Sequence, residues 1–260
     1  MLSIADTQSE LMDCLLDMGQ LLLSCGAEIS RVEDTVSRMG MAYGAEQVDA
    51  FVITSIISLS MKFPGREAVT ETRRIYSSSG NDFYRLEKLN DLSRRCCASP
   101  LPVSELHEKL RHIDAGRKPM SVILIGSFLG ASSFALFFGG SPADALVSGI
   151  FALGICFLQK ALAKTKINPV GENLLLSFVT GLAAGLLCAA LPSLSMDMIL
   201  IGDIMLLIPG LAITNSVRNM LVGDTISGVI RLTECLIWAC ALAGGFMTAL
   251  LLLRIILKAV

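Results

Sequence analysis

Five apolar runs fill the second half of this 260-residue chain and decide which solvent it folds in. They cover about residues 120–138, 144–160, 172–191, 197–213 and 228–254. A helix rises about 1.5 Å per residue and a bilayer's hydrocarbon core is roughly 30 Å thick, so about 20 apolar residues cross it. Met120 to Phe138 carries no charge at all. Turn chemistry separates the runs: Gly139-Gly140-Ser141-Pro142 after the first and Pro192-Ser193 after the third. Charge is divided to match. Residues 1–118 hold 14 of the 21 Lys and Arg and 17 of the 23 Asp and Glu, and the rest hold 7 and 6. The expected fold is an α-helical polytopic membrane protein. A cytoplasmic α+β domain at 1–118 precedes a membrane domain of five transmembrane helices at 119–260.

Several function classes drop out. With a net charge of −2 and no basic stripe, the chain has no electrostatic footprint for nucleic acid. The start, MLSIADTQSELMD, lacks a basic stretch followed by an apolar one, so no cleavable signal peptide is expected. Eight cysteines form no CxxC pair and no zinc spacing. Four lie in apolar runs, where cysteine acts as a small hydrophobe, and adjacent Cys96 and Cys97 read as reduced thiols. No metal, cofactor or catalytic set is expected.

In the first domain, Thr7-x-x-Glu10 reads as a capping box, followed by Leu11, Leu15, Met18, Leu22 and Cys25 at helical spacing. Gly26 can close that helix. A second helix runs from about Glu28 to Tyr43, with Ile29, Val32, Val36 and Met39 on one face. Its other face carries Glu28, Arg31, Glu33, Asp34 and Arg38, either a charged constellation or a solvated surface. Val48 to Phe63 has strand composition, Pro64-Gly65 marks a turn, and Ala68 to Tyr76 returns, giving a hairpin. After a loop at Ser77 to Asn81, Asp82 can cap a helix carrying Phe83, Leu86, Leu89 and Leu92. A short helix from Val103 to Ile113 follows. His107 and His112 on it read as surface residues.

Within the membrane part, Gly126 with Gly130 and Gly181 with Gly185 repeat a small-xxx-small spacing that lets helices approach. Lys and Arg in short loops set orientation. Arg117-Lys118 and the group Lys160, Lys164 and Lys166 belong inside, as does Arg218. Five spans then leave Arg254 and Lys258 outside, a minor violation that suggests a unit completed by a partner.

The stretch Asp203 to Glu234 is the richest in chemistry. It breaks at Pro209-Gly210, passes through Thr214, Asn215, Ser216, Arg218 and Asn219, and reaches Gly223-Asp224. Proline removes a helical donor and clashes with the preceding turn. Broken backbone at membrane depth survives where protein or a wet cavity satisfies it, and such breaks are where secondary transporters bind substrate. Arg218 is the only cation in the broken segment between Pro209 and Asp224, and a guanidinium fork matches a carboxylate. Arg218 is therefore expected to hold a substrate carboxylate, with Thr214, Asn215 and Ser216 donating further bonds. The plain alternative pairs Arg218 with Asp224 at a helix boundary. Asp203, a carboxyl in an apolar run, is the candidate for proton coupling; otherwise it is a polar residue facing water. Pro209, Gly210, Gly223 and Asp224 are candidates for gating or the helix break, and Glu234 pairs with Arg231 structurally.

CGAEISRVEDTVSRMG (Cys25 to Gly40) and IPGLAITNSVRNMLVGDTISGVIRLTE (Ile208 to Glu234) resemble the two signature segments of the threonine/serine exporter family. The resemblance covers nearly the whole chain in the same order. One departure is Asn219, where the family pattern has an acidic residue. The resemblance implies a two-component form in which this chain is the larger piece and a small membrane subunit supplies the remaining spans, with higher oligomers open. It also implies residence in the cell inner (plasma) membrane and export of small hydrophilic metabolites: threonine and serine, or dicarboxylates such as succinate. It marks Gly26, Glu28, Arg31 and Glu33 as a soluble-domain motif. A competing class is a membrane-anchored metabolite-binding regulator or hydrolase-like enzyme, but an anchor needs one span, not five. Without a nucleotide-binding motif, ATP-driven transport is not expected.

Overall fold

The computed structural model describes residues 4–75, 81–116, 119–165 and 167–258. They form two compact units, Met1–Arg117 with Leu211–Leu232, and Lys118–Gly210 with Thr233–Val260. The polar stretch after Pro209 thus belongs to the same unit as the N-terminal region.

The N-terminal unit begins with α1 (Ile4–Ser24) and α2 (Ile29–Ala42). Helix α1 starts three residues before Thr7, so Thr7 lies inside the helix and is not the N-cap expected of it. The helical spacing predicts the buried face: Leu11, Leu15, Met18, Leu22 and Cys25, and in α2 Ile29, Val32, Val36 and Met39, are all buried in one core. Gly26 closes α1 at φ 88°, where only glycine is unstrained. Its N–H bonds to Leu23 O at 3.0 Å and that of Ala27 to Leu22 O at 3.0 Å, the paired bonds of a Schellman turn.

The expected hairpin is a three-stranded antiparallel sheet, β1 (Gln47–Ile53), β2 (Ile56–Lys62) and β3 (Val69–Arg74), in that order. The stretch read as one strand from Val48 to Phe63 folds back on itself at Thr54-Ser55, with Ile53 opposite Ile56. This two-residue turn carries no Gly, Pro, Asn or Asp to announce it. Ile57, Leu59 and Met61 of β2 enter the core at every second residue. Helices α3 (Phe83–Ala98) and α4 (Val103–Ala115) complete this part, and Asp82 caps α3 by accepting from Arg85 N at 3.2 Å. Most of the expected 77–81 loop lies outside the described residues, as do Arg117, Lys118 and Lys166.

The second unit contains α5 (Met120–Phe137), α6 (Pro142–Leu162), α7 (Pro169–Ala190), α8 (Met196–Leu207) and most of α10 (Thr225–Lys258). Among the described residues four helices, α5, α6, α7 and α10, are long and apolar enough to cross a membrane. A fifth crossing exists if α8 and α9 (Gly210–Val222) count as one broken span. Small residues set the packing. Ser127, Ala131 and Ala135 of α5, four apart, are buried, as are Ser148, Gly149 and Ala152 of α6. Asp144 locks the start of α6. It accepts from Ser141 N and Oγ at 2.8 and 2.7 Å, and its other oxygen accepts from Ser195 N at 2.7 Å.

Candidate functional site

Proline ends α8: Ile208 and Pro209 are non-helical, and the chain resumes helix at Gly210. Helix α9 closes at Gly223, φ 107°, with Asp224 N bonded to Asn219 O at 2.9 Å. Gly223-Asp224 is therefore a helix stop followed at once by α10.

On α9 the four polar side chains expected at the substrate diverge. Ser216 is fully buried and its hydroxyl donates to Ala212 O of its own helix at 2.5 Å, which occupies its one proton. Thr214 is exposed and Asn215 half-buried. Arg218 donates from Nη1 to Glu28 Oε1 at 2.7 Å, across 190 residues of sequence. Its expected plain partner was Asp224; the acid it meets is in the other signature segment. Glu28 sits at the N-cap of α2 yet caps no backbone donor, because its carboxylate is turned to the guanidinium. The Glu28 side chain is 18 % exposed and that of Arg218 is 61 % exposed, so the pair is open to water on the arginine side.

The other motif residues separate likewise. Glu33 leaves the helix surface and accepts from Val52 N of β1 at 2.9 Å. Burial raises its carboxyl above the usual glutamate value, the Val52 bond lowers it, and the Asp224 charge raises it again. Asp34 and Arg38 pair at 2.7 Å on an exposed face, the solvated role. Glu28, Arg31 and Gly26 line a cavity of about 210 Å³ that also takes in Asn215 of α9.

Sequence reasoning missed a Cys–His–Asp grouping in this unit. His107 Nδ1 lies 3.8 Å from Cys14 Sγ and 3.8 Å from Asp17 Oδ2. It resembles a nucleophile with its base, but burial, then the Asp17 and Asp13 carboxylates, push the Cys14 thiol up to about 11. A thiol held protonated is a poor nucleophile. Cys96 is buried and Cys97 exposed, both free.

In the second unit, Asp203 is fully buried, so it does not face water. Oδ1 accepts from Ser148 Oγ of α6 at 3.1 Å, and Oδ2 has no hydrogen-bond partner among the described residues. Ser132 Oγ of α5 is likewise buried without a partner. Gly202 makes room for this: a Cβ there would collide with Ser148 Oγ and lie 2.7 Å from Ala131 O.

The family described as "Putative threonine/serine exporter" matches residues 13–253. The chain is 22 % identical over 237 residues to the "Probable succinate transporter subunit YjjP" of Escherichia coli (strain K12), covering 90 % of this chain and 91 % of that one. The Klebsiella aerogenes protein of the same description is 23 % identical over 212 residues, 81 % of each chain. No solved structure matches. The family match runs through both signature segments and every apolar helix, so the chain belongs to the threonine/serine exporter family of multi-pass membrane transport proteins.

Proposed function

We propose that the chain is one subunit of a secondary, proton-coupled exporter of small carboxylate-bearing metabolites, threonine and serine or a dicarboxylate such as succinate. The observation that carries this is the Glu28–Arg218 pair. It joins the two signature segments in one unit through a charge-assisted bond of 2.7 Å. An arginine that already grips a carboxylate, with its other side in water, is suited to exchange that carboxylate for a substrate's. Glu28 holds the guanidinium between cycles, and Arg218 turns to the cargo when it arrives. Arg218 is thus the carboxylate handle, with Asn215 one turn before it.

Asp203 supports the coupling step. An ionised carboxylate has capacity for about four hydrogen bonds and meets a single hydroxyl here. A proton on Oδ2 removes the uncompensated charge from the packed helices, so loading and unloading that proton gives the α6–α8 contact two states.

A partner subunit is supported by α5. Only 11 % of its spanning window is buried within the chain, against 33 % for α6, α7 and α10. The relatives are themselves named as subunits. In this reading the N-terminal unit faces the cytoplasm and the helices cross the cell inner membrane; Lys160 in the last turn of α6 and Lys164 just beyond it support that orientation.

Counterflow of labelled threonine, serine and succinate, in vesicles holding both subunits, tests the proposal. Saturable counterflow of one substrate is expected. Arg218→Lys keeps the charge and loses the fork. Hydrogen bonds to charged groups are worth about 1.5–3 kcal/mol, so a loss of about 10- to 100-fold in transport efficiency follows. Normal counterflow by Arg218→Lys ends the bidentate role; no counterflow of any substrate ends the exporter reading.

A further inference from the structure

We propose that the N-terminal unit carries a receptor site for a small carboxylate metabolite, with Arg31 as its anchor. The site is the cavity of about 210 Å³ beside the Gly26–Glu28 turn. Leu22, Phe83 and Leu86 give it an apolar floor, and Arg31, Asn90 and Asn215 supply polar groups. Floor plus few convergent polar groups is the composition of a small-molecule site. At roughly 30 Å³ per water, the volume equals about seven waters. Pockets that bury drug-sized ligands begin at roughly 300 Å³, so the size suits a short-chain acid.

The charge pattern selects the ligand. Glu28 is neutralised by Arg218, which leaves the Arg31 guanidinium as the net charge at the cavity. A carboxylate meets its fork bidentately. Asn90 and Asn215 each offer an N–H₂ donor and a carbonyl acceptor for the ligand's other end. Gly26 brings backbone to the cavity at φ 88°, where a side chain would strain the turn.

The site is also wired to α9. Asn215 lines it, and Arg218 lies three residues on, on the same helix face. The ligand's second polar group therefore sits near the Glu28–Arg218 pair. An ammonium group competes with Arg218 for Glu28, whereas a second carboxylate competes with Glu28 for Arg218. Either one loosens the bond between the two signature segments when cargo is present. The site rests on the exporter reading only for the choice of cargo.

Calorimetry on the purified full chain in nanodiscs, with L-threonine, L-serine and succinate as probes, tests this without transport. At least one probe should bind saturably, and Arg31→Gln should weaken it at least 10-fold. Arg31 is exposed, so thermal stability should not move. Asn215→Leu is the second variant and should weaken binding too. Glu28→Gln separates the cargo classes: it weakens an amino acid, which loses its anion, and tightens succinate, which loses its competitor. Binding unchanged by Arg31→Gln, or no saturation by any probe up to tens of millimolar, overturns the site. Binding that persists while counterflow fails overturns the exporter reading and leaves the site standing.

Discussion

Glu28 and Glu33 stand five residues apart in one signature segment and do unrelated work. Glu28 faces a cation and holds a helix from the far end of the sequence; Glu33 faces a backbone amide in β1. The Glu33 carboxyl is pushed upward in its titration, chiefly by burial. An acid held above its unfolded value binds its proton more tightly in the fold. Its contribution to stability is therefore complete below the ordinary value of 4.5 and is lost as pH rises through the raised one. Glu33→Gln keeps a carbonyl for Val52 N and cannot ionise. Its unfolding temperature should fall less between pH 4.5 and 7 than the parent's, and at pH 7 should equal or exceed it, in melts of the purified protein. A steeper fall would mean that the charged form is what the fold prefers. The residue types in this motif were legible in the sequence as a charged set. Their partners were not, because a helix face does not tell which distant element will cover it. Asp224 was the near acid for Arg218, and an acid 190 residues away took it.

Two pairs of glycines with the same spacing show why the elements were easier to read than their packing. Gly181 and Gly185 of α7 are covered by α10: a Cβ on Gly181 would lie 2.9 Å from Phe246 and 3.1 Å from Ala249, and one on Gly185 would strike Leu253. A Cβ on Gly126 or Gly130 of α5 would meet no atom of another element within 4 Å among the described residues. In α5 the buried stripe is the next residue over, Ser127 with Ala131 and Ala135. Helix positions followed from runs of apolar residues, but which face is inward does not follow when every face is apolar. The same limit explains the sheet, where alternation was visible and the Thr54-Ser55 turn was not. Gly181→Ala and Gly202→Ala should each lower stability by about 1–3 kcal/mol through overpacking, whereas Gly126→Ala should be neutral or slightly stabilising. Thermal denaturation in detergent distinguishes them. An equal loss at Gly126 would show that the face is covered within the chain itself.

At the scale of the molecule, the open face of α5 and the buried carboxyl of Asp203 make separate demands. Bulk placed on the α5 face should disturb assembly and spare the fold: Gly130→Leu should melt like the parent yet co-purify less of the partner subunit. Asp203 is tested by direction of force. In vesicles holding both subunits, an imposed pH gradient should drive substrate against its own gradient, and dissipating it should leave only exchange. Asp203→Asn keeps the shape and an acceptor for Ser148 while removing the site that loads a proton. Counterflow needs no net proton movement, so it should survive the substitution, and pH-driven accumulation should fall to the level set by substrate alone. Loss of both would make Asp203 a packing residue, and retention of both would move the coupling elsewhere. Ser148→Ala separates these outcomes, because it takes away the one hydroxyl that meets the carboxylate and leaves the carboxyl itself. Accumulation should persist in that variant with its pH profile displaced, a change that a merely structural carboxyl would not produce.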